Sequence, residues 1–352
     1  MPELILYPAI CLLAGLVSYL VCQLSRKWRV LDMPDGQRKF QAAPVPRLGG
    51  AGILAGFFAV IMLAGIIHAA NPALLGNDFL PGGVGAVAVA LAASLAFAAI
   101  GAADDVTDLN AGLKLVLLLA VCIGAPLLGV VVPALDSPFG DLTMPALMIV
   151  GSALWLLVFT NAANFMDGSN GLAIGVLTFM FAGLGTSLLL SEAGRFPPGL
   201  IAIIAASMGF LVINMRGQLY AGDIGAFGVS ALFATLASIS GLSVWTIATL
   251  ALPILIDTLM TLVLRAKRRE SLFTAHRDHA YQALIKSGWS AWEVAILWWG
   301  LAGACATGAT IGAAGGGALP FVVFVCLALL LGFGWVRVQR SCGQMGTRLV
   351  RI

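Results

Sequence analysis

The sequence predicts an all-α integral membrane protein, a polytopic bundle of about eleven transmembrane helices (ten or eleven) with its N-terminus outside. Three observations predict it. Hydrophobic residues make up 60% of the 352 and charged residues 10%, with a mean hydropathy of +1.01. A soluble domain averages roughly 45–50% apolar and about 25% charged. The apolar residues also come in continuous runs of about 20, the length a helix needs to cross the hydrocarbon, whereas barrel strands would alternate over about ten. Finally, the basic residues fall almost wholly on one side.

The first run, 4–23, has Glu3 before it and Arg26 and Lys27 after it. No small-residue cleavage site stands out, so it reads as a span and not a cleaved signal peptide. Further spans are expected at 49–69, 84–103, 113–133, 145–160, 171–190, 199–215, 225–241, 245–264, 292–312 and 319–336. The short 145–160 run and the Gly-rich 308–317 stretch are the least typical of the set. With the N-terminus outside, the inner loops and tail collect 18 of the 19 Lys and Arg residues, leaving Arg195 outside. That is the asymmetry of the positive-inside rule. The net charge of +3 therefore reports topology and gives no reason to expect nucleic acid as a partner. The six cysteines lie mostly in apolar spans without a C-x-x-C pair, as free buried small hydrophobes do. No repeat or long linker divides the chain, and residues 1–352 read as a single polytopic membrane domain.

Five polar islands interrupt the apolar sequence, all on the inner face. They are Arg38-Lys39 with Arg47, Asp104-Asp105-Val106-Thr107-Asp108, Asn161 to Asn170, Gly222-Asp223, and His276-Arg277-Asp278-His279. A bilayer penalises such residues, and an active site at the membrane–cytoplasm boundary accounts for their clustering. Three carboxylates within five residues repel one another, which a metal or a basic ligand relieves; a solvated helix end is the plain alternative. On a helix Asp104 and Asp108 share a face while Asp105 diverges. Asp104 and Asp105 are thus expected to do different jobs, one near a metal and one near a reacting phosphate. Mg²⁺ takes one or two carboxylates together with phosphate oxygens and water.

Asn161, Asn164, Asp167 and Asn170 recur at intervals of three. Alone they would read as a turn and cap, but together they offer a planar base both donors and acceptors. Gly222 and Gly225 flank Asp223 and permit close approach of a ligand, against the plain reading of Asp223 as an N-cap. Tyr220 is either an interfacial belt residue or one that stacks on a base. The His-Arg-Asp-His run holds two of the three histidines. Zinc would need a further His or a Cys, so phosphate binding, with Arg277 in bidentate pairs, is the expectation. Lys267, Arg268 and Arg269 are orientation signals, and His68 is incidental. Asp257 is an acid well inside a span, a functional-site candidate by default. It is read here as structural, its cost eased by Arg265 about two turns along.

The stretches RKFQAAPVPRLGG (38–50), DDVTDLNAGLK (104–114), NAANFMDGSNGLA (161–173), YAGDIGA (220–226) and AHRDHAYQAL (275–284) resemble, in that order, the polyprenyl-phosphate N-acetylhexosamine-1-phosphate transferase superfamily, glycosyltransferase family 4. The resemblance runs from about residue 30 to residue 285. It implies that Asp104 and Asp105 are an acidic pair for catalysis and handling of the acceptor phosphate, and that Asp223 is a Mg²⁺ ligand. It places Asn164 and Asp167, with Asn161 and Asn170 beside them, in a nucleotide pocket where Tyr220 stacks on uracil. Lys39 and Lys114 would lie near the substrate phosphates, and His276, Arg277 and His279 would meet the diphosphate. The implied cofactor is Mg²⁺, or Mn²⁺ in its place. The implied partners are a UDP-amino sugar, undecaprenyl (polyprenyl) phosphate, the bilayer of a bacterial inner membrane, and a second copy in a homodimer.

The chain departs from the family's usual pattern at Asn170, often Asp, at Ala226, often Ser, and in a sparser His loop. The form H-R-x-H-x-Y-Q resembles the branch that primes O-antigen-type glycans with GlcNAc or a deoxy-amino sugar such as FucNAc or QuiNAc. The expected reaction moves a HexNAc-1-phosphate from a UDP-sugar to undecaprenyl phosphate and releases UMP. Either the lipid phosphate attacks directly, or Asp104 or Asp105 first forms a phospho-enzyme. Two other classes compete. A prenyltransferase also uses D-D-x-x-D for Mg²⁺-diphosphate but expects a second Asp-rich motif. A lipid or solute transporter would place its polar residues near the midplane.

Overall fold

A computed structural model describes residues 2–34, 43–72, 79–136, 140–271 and 276–342. Its helices are α1 (Pro2–Ser25), α2 (Gly49–Ala70), α3 (Val84–Thr107), α4 (Ala111–Leu127), α5 (Pro145–Met166) and α6 (Leu172–Leu190). They continue with α7 (Pro198–Asn214), α8 (Gly222–Ser238), α9 (Val244–Lys267), α10 (Ala280–Lys286), α11 (Ala291–Gly315) and α12 (Leu319–Ser341). Two-residue strands β1 (Leu31–Asp32) and β2 (Val45–Pro46) pair antiparallel between α1 and α2. Eight helices are long and apolar enough to cross a membrane. The expected spans at 113–133, 199–215 and 225–241 are the apolar helices α4, α7 and α8, each of 17 residues. That is the lower end of the length a crossing takes. The chain is a multi-pass helical membrane protein.

At the centre stands α8, buried on every side from Gly225 to Ser238, as expected of a helix that is apolar all round. Around it pack α2, α3, α5 and α6, while α1 and α7 flank α2, and α9, α11 and α12 form the remaining wall. In a bilayer the lipid is as apolar as the protein, so close packing of small residues takes over much of the work of association. The α2–α8 and α3–α8 seams show it. Gly50 abuts Gly225, Gly228 meets Ala98, and Gly101 lies against the Asp223 carbonyl. A hydrogen bond from Ser94 Oγ to the Gly228 carbonyl, 2.9 Å, ties α3 to α8 further along.

Several boundaries differ from the sequence expectation by a few residues, three of them for a clear local reason. Helix α3 runs on to Thr107, so Asp104 and Asp105 are helical. Asp108 then takes a left-handed turn (φ 47°) as the C-cap, its N–H bonded to the Asp104 carbonyl at 2.9 Å. It therefore does not share a helical face with Asp104, and its side chain is 95% exposed. Helix α5 continues to Met166, which puts Asn161 and Asn164 on its last turns. Helix α4 stops at Leu127, just after Pro126 and before Gly129 at φ 105°. The short helix α10, inside the long loop after α9, had no periodic apolar run to announce it.

Candidate active site

The C-terminal end of α3, the start of α4, the end of α5 and the start of α8 meet at one end of the bundle. Lys114 Nζ lies 2.8 Å from Asp104 Oδ2 and is also bonded to Asp223 Oδ2. The other oxygen of Asp223 accepts from Asn164 Nδ2 at 2.9 Å, and Asp104 Oδ1 accepts from the Leu109 N–H at 3.0 Å. One ammonium thus bridges two carboxylates from different helices, and sits 4.9 Å over the Phe227 ring, a cation–π contact.

Asp105 faces elsewhere. Its Oδ2 accepts from the Ile224 N–H at 3.0 Å and its Oδ1 lies 3.5 Å from Arg47 Nε. The Arg47 guanidinium also donates to the Asp105 carbonyl and reaches Asp108 at 3.6 Å and Asp32 at 4.0 Å. The Asp105 side chain is 2% exposed, against 21% for Asp104 and 25% for Asp223. Adjacent acids on one helix therefore have different surroundings: Asp105 ties α3 to α8 and Arg47, while Asp104 and Asp223 are more exposed.

Glycine permits this geometry. Gly222 opens α8 at φ 70°, and a Cβ there would meet the Arg47 carbonyl at 1.9 Å and Asp105 Oδ2 at 2.6 Å. The chain before it is anchored to the α1–α2 ribbon, since the Tyr220 N–H donates to the Pro46 carbonyl (2.8 Å) and Gly49 N–H to the Tyr220 carbonyl (2.9 Å). Asn214 joins two loops: its Oδ1 accepts from Gly171 N at 2.6 Å and its Nδ2 donates to the Leu219 carbonyl at 2.8 Å. It couples the amide-rich loop after α5 to the Tyr220 loop.

Asp167 caps α5. Burial, and then the nearby charges of Asp223, Asp105 and Asp32, push its carboxyl well above the usual range. Burial and the same acidic surroundings, Asp32 and Asp167, raise the Tyr220 hydroxyl. The two other amides point elsewhere: Asn161 Nδ2 donates back to the Leu157 carbonyl at 2.8 Å, and Asn170 lies beside Gly217. Lys39, with Arg38, lies outside the described residues.

The His276–His279 segment packs against this end of α5. Tyr281 Oη donates to the Phe165 carbonyl at 3.2 Å and abuts Gly168. The rings of His276 and His279 stack at 5.0 Å, and His279 lies 6.3 Å from Phe165. Burial, His279 and Arg265 push His276 down to about 4, so it is neutral at physiological pH. The fixed positive charge of the segment is that of Arg277, whose carbonyl accepts from Lys286 Nζ at 2.7 Å.

Asp257 is buried in α9, and Arg265 does not neutralise it. Arg265 pairs instead with Asp278, with Glu270 at 3.1 Å and with the Ser271 carbonyl at 2.6 Å. Asp257 accepts from the backbone N–H of Ala280 at 2.7 Å and from Trp335 Nε1 at 3.0 Å.

Among the described residues no three His, Cys, Asp or Glu side chains could enclose a metal by themselves. Asp104 and Asp223 together offer hard carboxylate oxygens from two helices. That donor set suits Mg²⁺, which completes its shell with phosphate oxygens and water.

Fold and site together define a multi-pass membrane protein with an acid- and amide-lined site at one end of its bundle. Residues 87–241, which hold most of α3 and all of α4 to α8, match the model for Glycosyl transferase family 4. The chain is 27% identical over 327 residues to the decaprenyl-phosphate N-acetylglucosaminephosphotransferase of Mycolicibacterium smegmatis, covering 81% of this chain and 78% of that protein. It is 24% identical over 292 residues to the probable undecaprenyl-phosphate N-acetylglucosaminyl 1-phosphate transferase of Bacillus subtilis, covering 78% and 75%. It is 29% identical over 318 residues to the phospho-N-acetylmuramoyl-pentapeptide-transferase of a Synechococcus strain, covering 82% and 84%. These matches support the resemblance of the chain's motifs to the polyprenyl-phosphate N-acetylhexosamine-1-phosphate transferase superfamily.

Proposed function

We propose that the protein transfers a HexNAc-1-phosphate (GlcNAc, or a deoxy-amino sugar such as FucNAc or QuiNAc) from a UDP-sugar to undecaprenyl phosphate at the bacterial inner membrane. UMP is released, and the product primes an O-antigen or other envelope polysaccharide. The relatives' names point to sugar-phosphate transfer onto polyprenyl phosphates. The observation that carries the reading is the Asp104–Lys114–Asp223 bridge beside the amides at the end of α5. The bridge carries two carboxylates and one ammonium, a net −1 that would draw a divalent cation and through it an anionic diphosphate, and a nucleobase needs paired donors and acceptors.

Asp223 and Asp104 would hold Mg²⁺, which when bound supplies charge neutralisation at the diphosphate. Lys114, fixed between the two acids, would orient phosphate oxygens, and Arg277 would add a bidentate donor from the His276–His279 segment. A phosphate monoester has a second pKa of about 6 and is already mostly dianionic at neutral pH, so the acceptor needs positioning more than deprotonation. Asp105 is almost wholly buried, 2% exposed against 21% for Asp104, which favours direct attack by the lipid phosphate over a phospho-enzyme at that residue. Asp104, more open, positions the acceptor or takes a residual proton. Trapping an acyl-phosphate in a single turnover without lipid acceptor would overturn direct attack. Asp167, the C-cap of α5 three residues after Asn164, would offer a base a carboxylate acceptor beside an amide.

The test is UMP release by purified protein in detergent with undecaprenyl phosphate, Mg²⁺ and a panel of UDP-HexNAc donors. UMP formed with one donor, only when lipid and metal are both present, is the expected result. A prenylated product without UMP would instead indicate a prenyltransferase, and solute uptake into sealed vesicles without lipid-linked sugar would indicate a transporter. In the same assay Tyr220→Ala should raise the KM for the UDP-sugar about tenfold, since stacking on a base is worth about 1–3 kcal/mol. An unchanged KM would remove Tyr220 from the nucleotide pocket.

A further inference from the structure

We infer that Asp257 is a positioning residue: with Trp335 and Gln339 of α12 it holds the His276–His279 segment against the end of α5. The inference rests on the reading of that segment as a contact for the substrate diphosphate. Asp257 lies ten residues before the end of α9, about 15 Å into the helix at about 1.5 Å per residue. A carboxylate at that depth persists where its partners compensate its desolvation. Its shortest hydrogen bond comes from the backbone that directly follows the segment. The Ala280 and Tyr281 N–H groups, 2.7 and 3.4 Å away, belong to the first turn of α10 and have no carbonyl of their own helix to bond. His279 Nδ1 is 3.8 Å from Asp257 Oδ1. The carboxylate therefore fixes where the loop re-enters the bundle and where His279 stands.

Helix α12 closes the bracket. Few of its residues are buried, and at this end Trp335 and Gln339 are the buried ones. Trp335 Nε1 donates to Asp257 Oδ1 at 3.0 Å, and Gln339 Nε2 donates to the Asp278 carbonyl at 2.7 Å. Both of the polar contacts that α12 makes here end on the segment or on the acid that holds it. The bracket lies beyond residues 87–241, the stretch matching the family model.

A carboxylate that only stabilised the bundle would lower thermal stability and leave turnover per folded molecule unchanged. A bracket acts through the segment, so its loss must not add to the loss of the segment itself. The experiment is a set of kinetic cycles with His279→Ala, Asp257→Asn, Trp335→Phe and the two doubles that include His279→Ala. UMP release is normalised to monodisperse protein. Asp257→Asn should lower kcat about 100-fold, the scale of a misplacement of about 1 Å, with the KM for the UDP-sugar within about twofold because Asp257 does not face the nucleotide pocket. Trp335→Phe, which keeps the carboxylate, should lower kcat about tenfold by the same misplacement and carries the test should Asp257→Asn fail to fold. Each double should be no slower than His279→Ala alone. Multiplicative losses in the doubles, or wild-type kcat in the bracket variants, would overturn the bracket while leaving the segment's role intact. Wild-type activity of His279→Ala would overturn the reading of the segment itself.

Discussion

Asp223→Asn is expected to lower kcat about 1000-fold or more while the protein still inserts and purifies as a monodisperse species. Asp223 is the point where three elements converge: Lys114 from α4 on one oxygen, Asn164 from α5 on the other, and the first turn of α8 behind it. Asparagine has the same shape, so packing survives, but its single oxygen can accept from only one of the two donors, Lys114 Nζ or Asn164 Nδ2. What disappears is one negative charge beside an ammonium. Lys114 is then held by Asp104 alone, and the two-carboxylate oxygen set suited to Mg²⁺ is reduced to one. Removing a single preorganised electrostatic group from an active site costs about 10²–10³ in kcat. Here a single change disturbs both the metal donor and the lysine, so the larger figure applies, equivalent to about 4 kcal/mol of transition-state stabilisation. Initial rates of UMP release across a Mg²⁺ titration check it. Full activity at saturating Mg²⁺ would remove the metal role from Asp223; partial recovery at high Mg²⁺ would show weakened metal affinity and support it.

Cost made the acids legible. In a chain with 10% charged residues, each acid at a membrane boundary stands out, and Asp104, Asp105 and Asp223 come together in space as the islands suggested. Which acid meets which base was not legible. Arg47 stood in the first polar island with no partner assigned, and it grips Asp105 from 58 residues away. Asn214 gave no signal at all, being a single amide at a helix end, although it staples two site loops. Asp257 illustrates the limit best. Along the helix its nearest cation is Arg265, and a one-dimensional reading pairs them. In three dimensions the buried Arg265 pairs with Asp278, and Asp257 takes backbone N–H groups and an indole 78 residues on. Helix existence follows from apolar run length, which is local; partner choice depends on how helices cross, which is not.

The crossing itself gives the last prediction, Gly101→Ala. In an isolated helix this change stabilises by about 1 kcal/mol, so propensity alone argues for a sturdier protein. The structure argues for the opposite sign at the site. A methyl at position 101 would meet the Asp223 carbonyl oxygen at 2.3 Å and the Ile224 nitrogen at 2.7 Å, both of them backbone atoms that cannot swing aside. Helices α3 and α8 would have to part by about 1 Å to regain ordinary contact. Asp105 lies one turn along the same face, so its bond to Ile224 N, now 3.0 Å, would be stretched or lost. Asp104 and Asp223, which approach Lys114 from these two helices, would separate with them. A shift of that size costs about 100-fold in rate when it moves reacting groups. Gly124→Ala is the control, because nothing lies within 4 Å of a Cβ there. The expected pattern is a kcat reduced about 100-fold for Gly101→Ala and a wild-type kcat for Gly124→Ala. Equal activity in the two variants would mean that the α3–α8 seam tolerates widening, and that the Asp105–Ile224 bond does not set the geometry of the site.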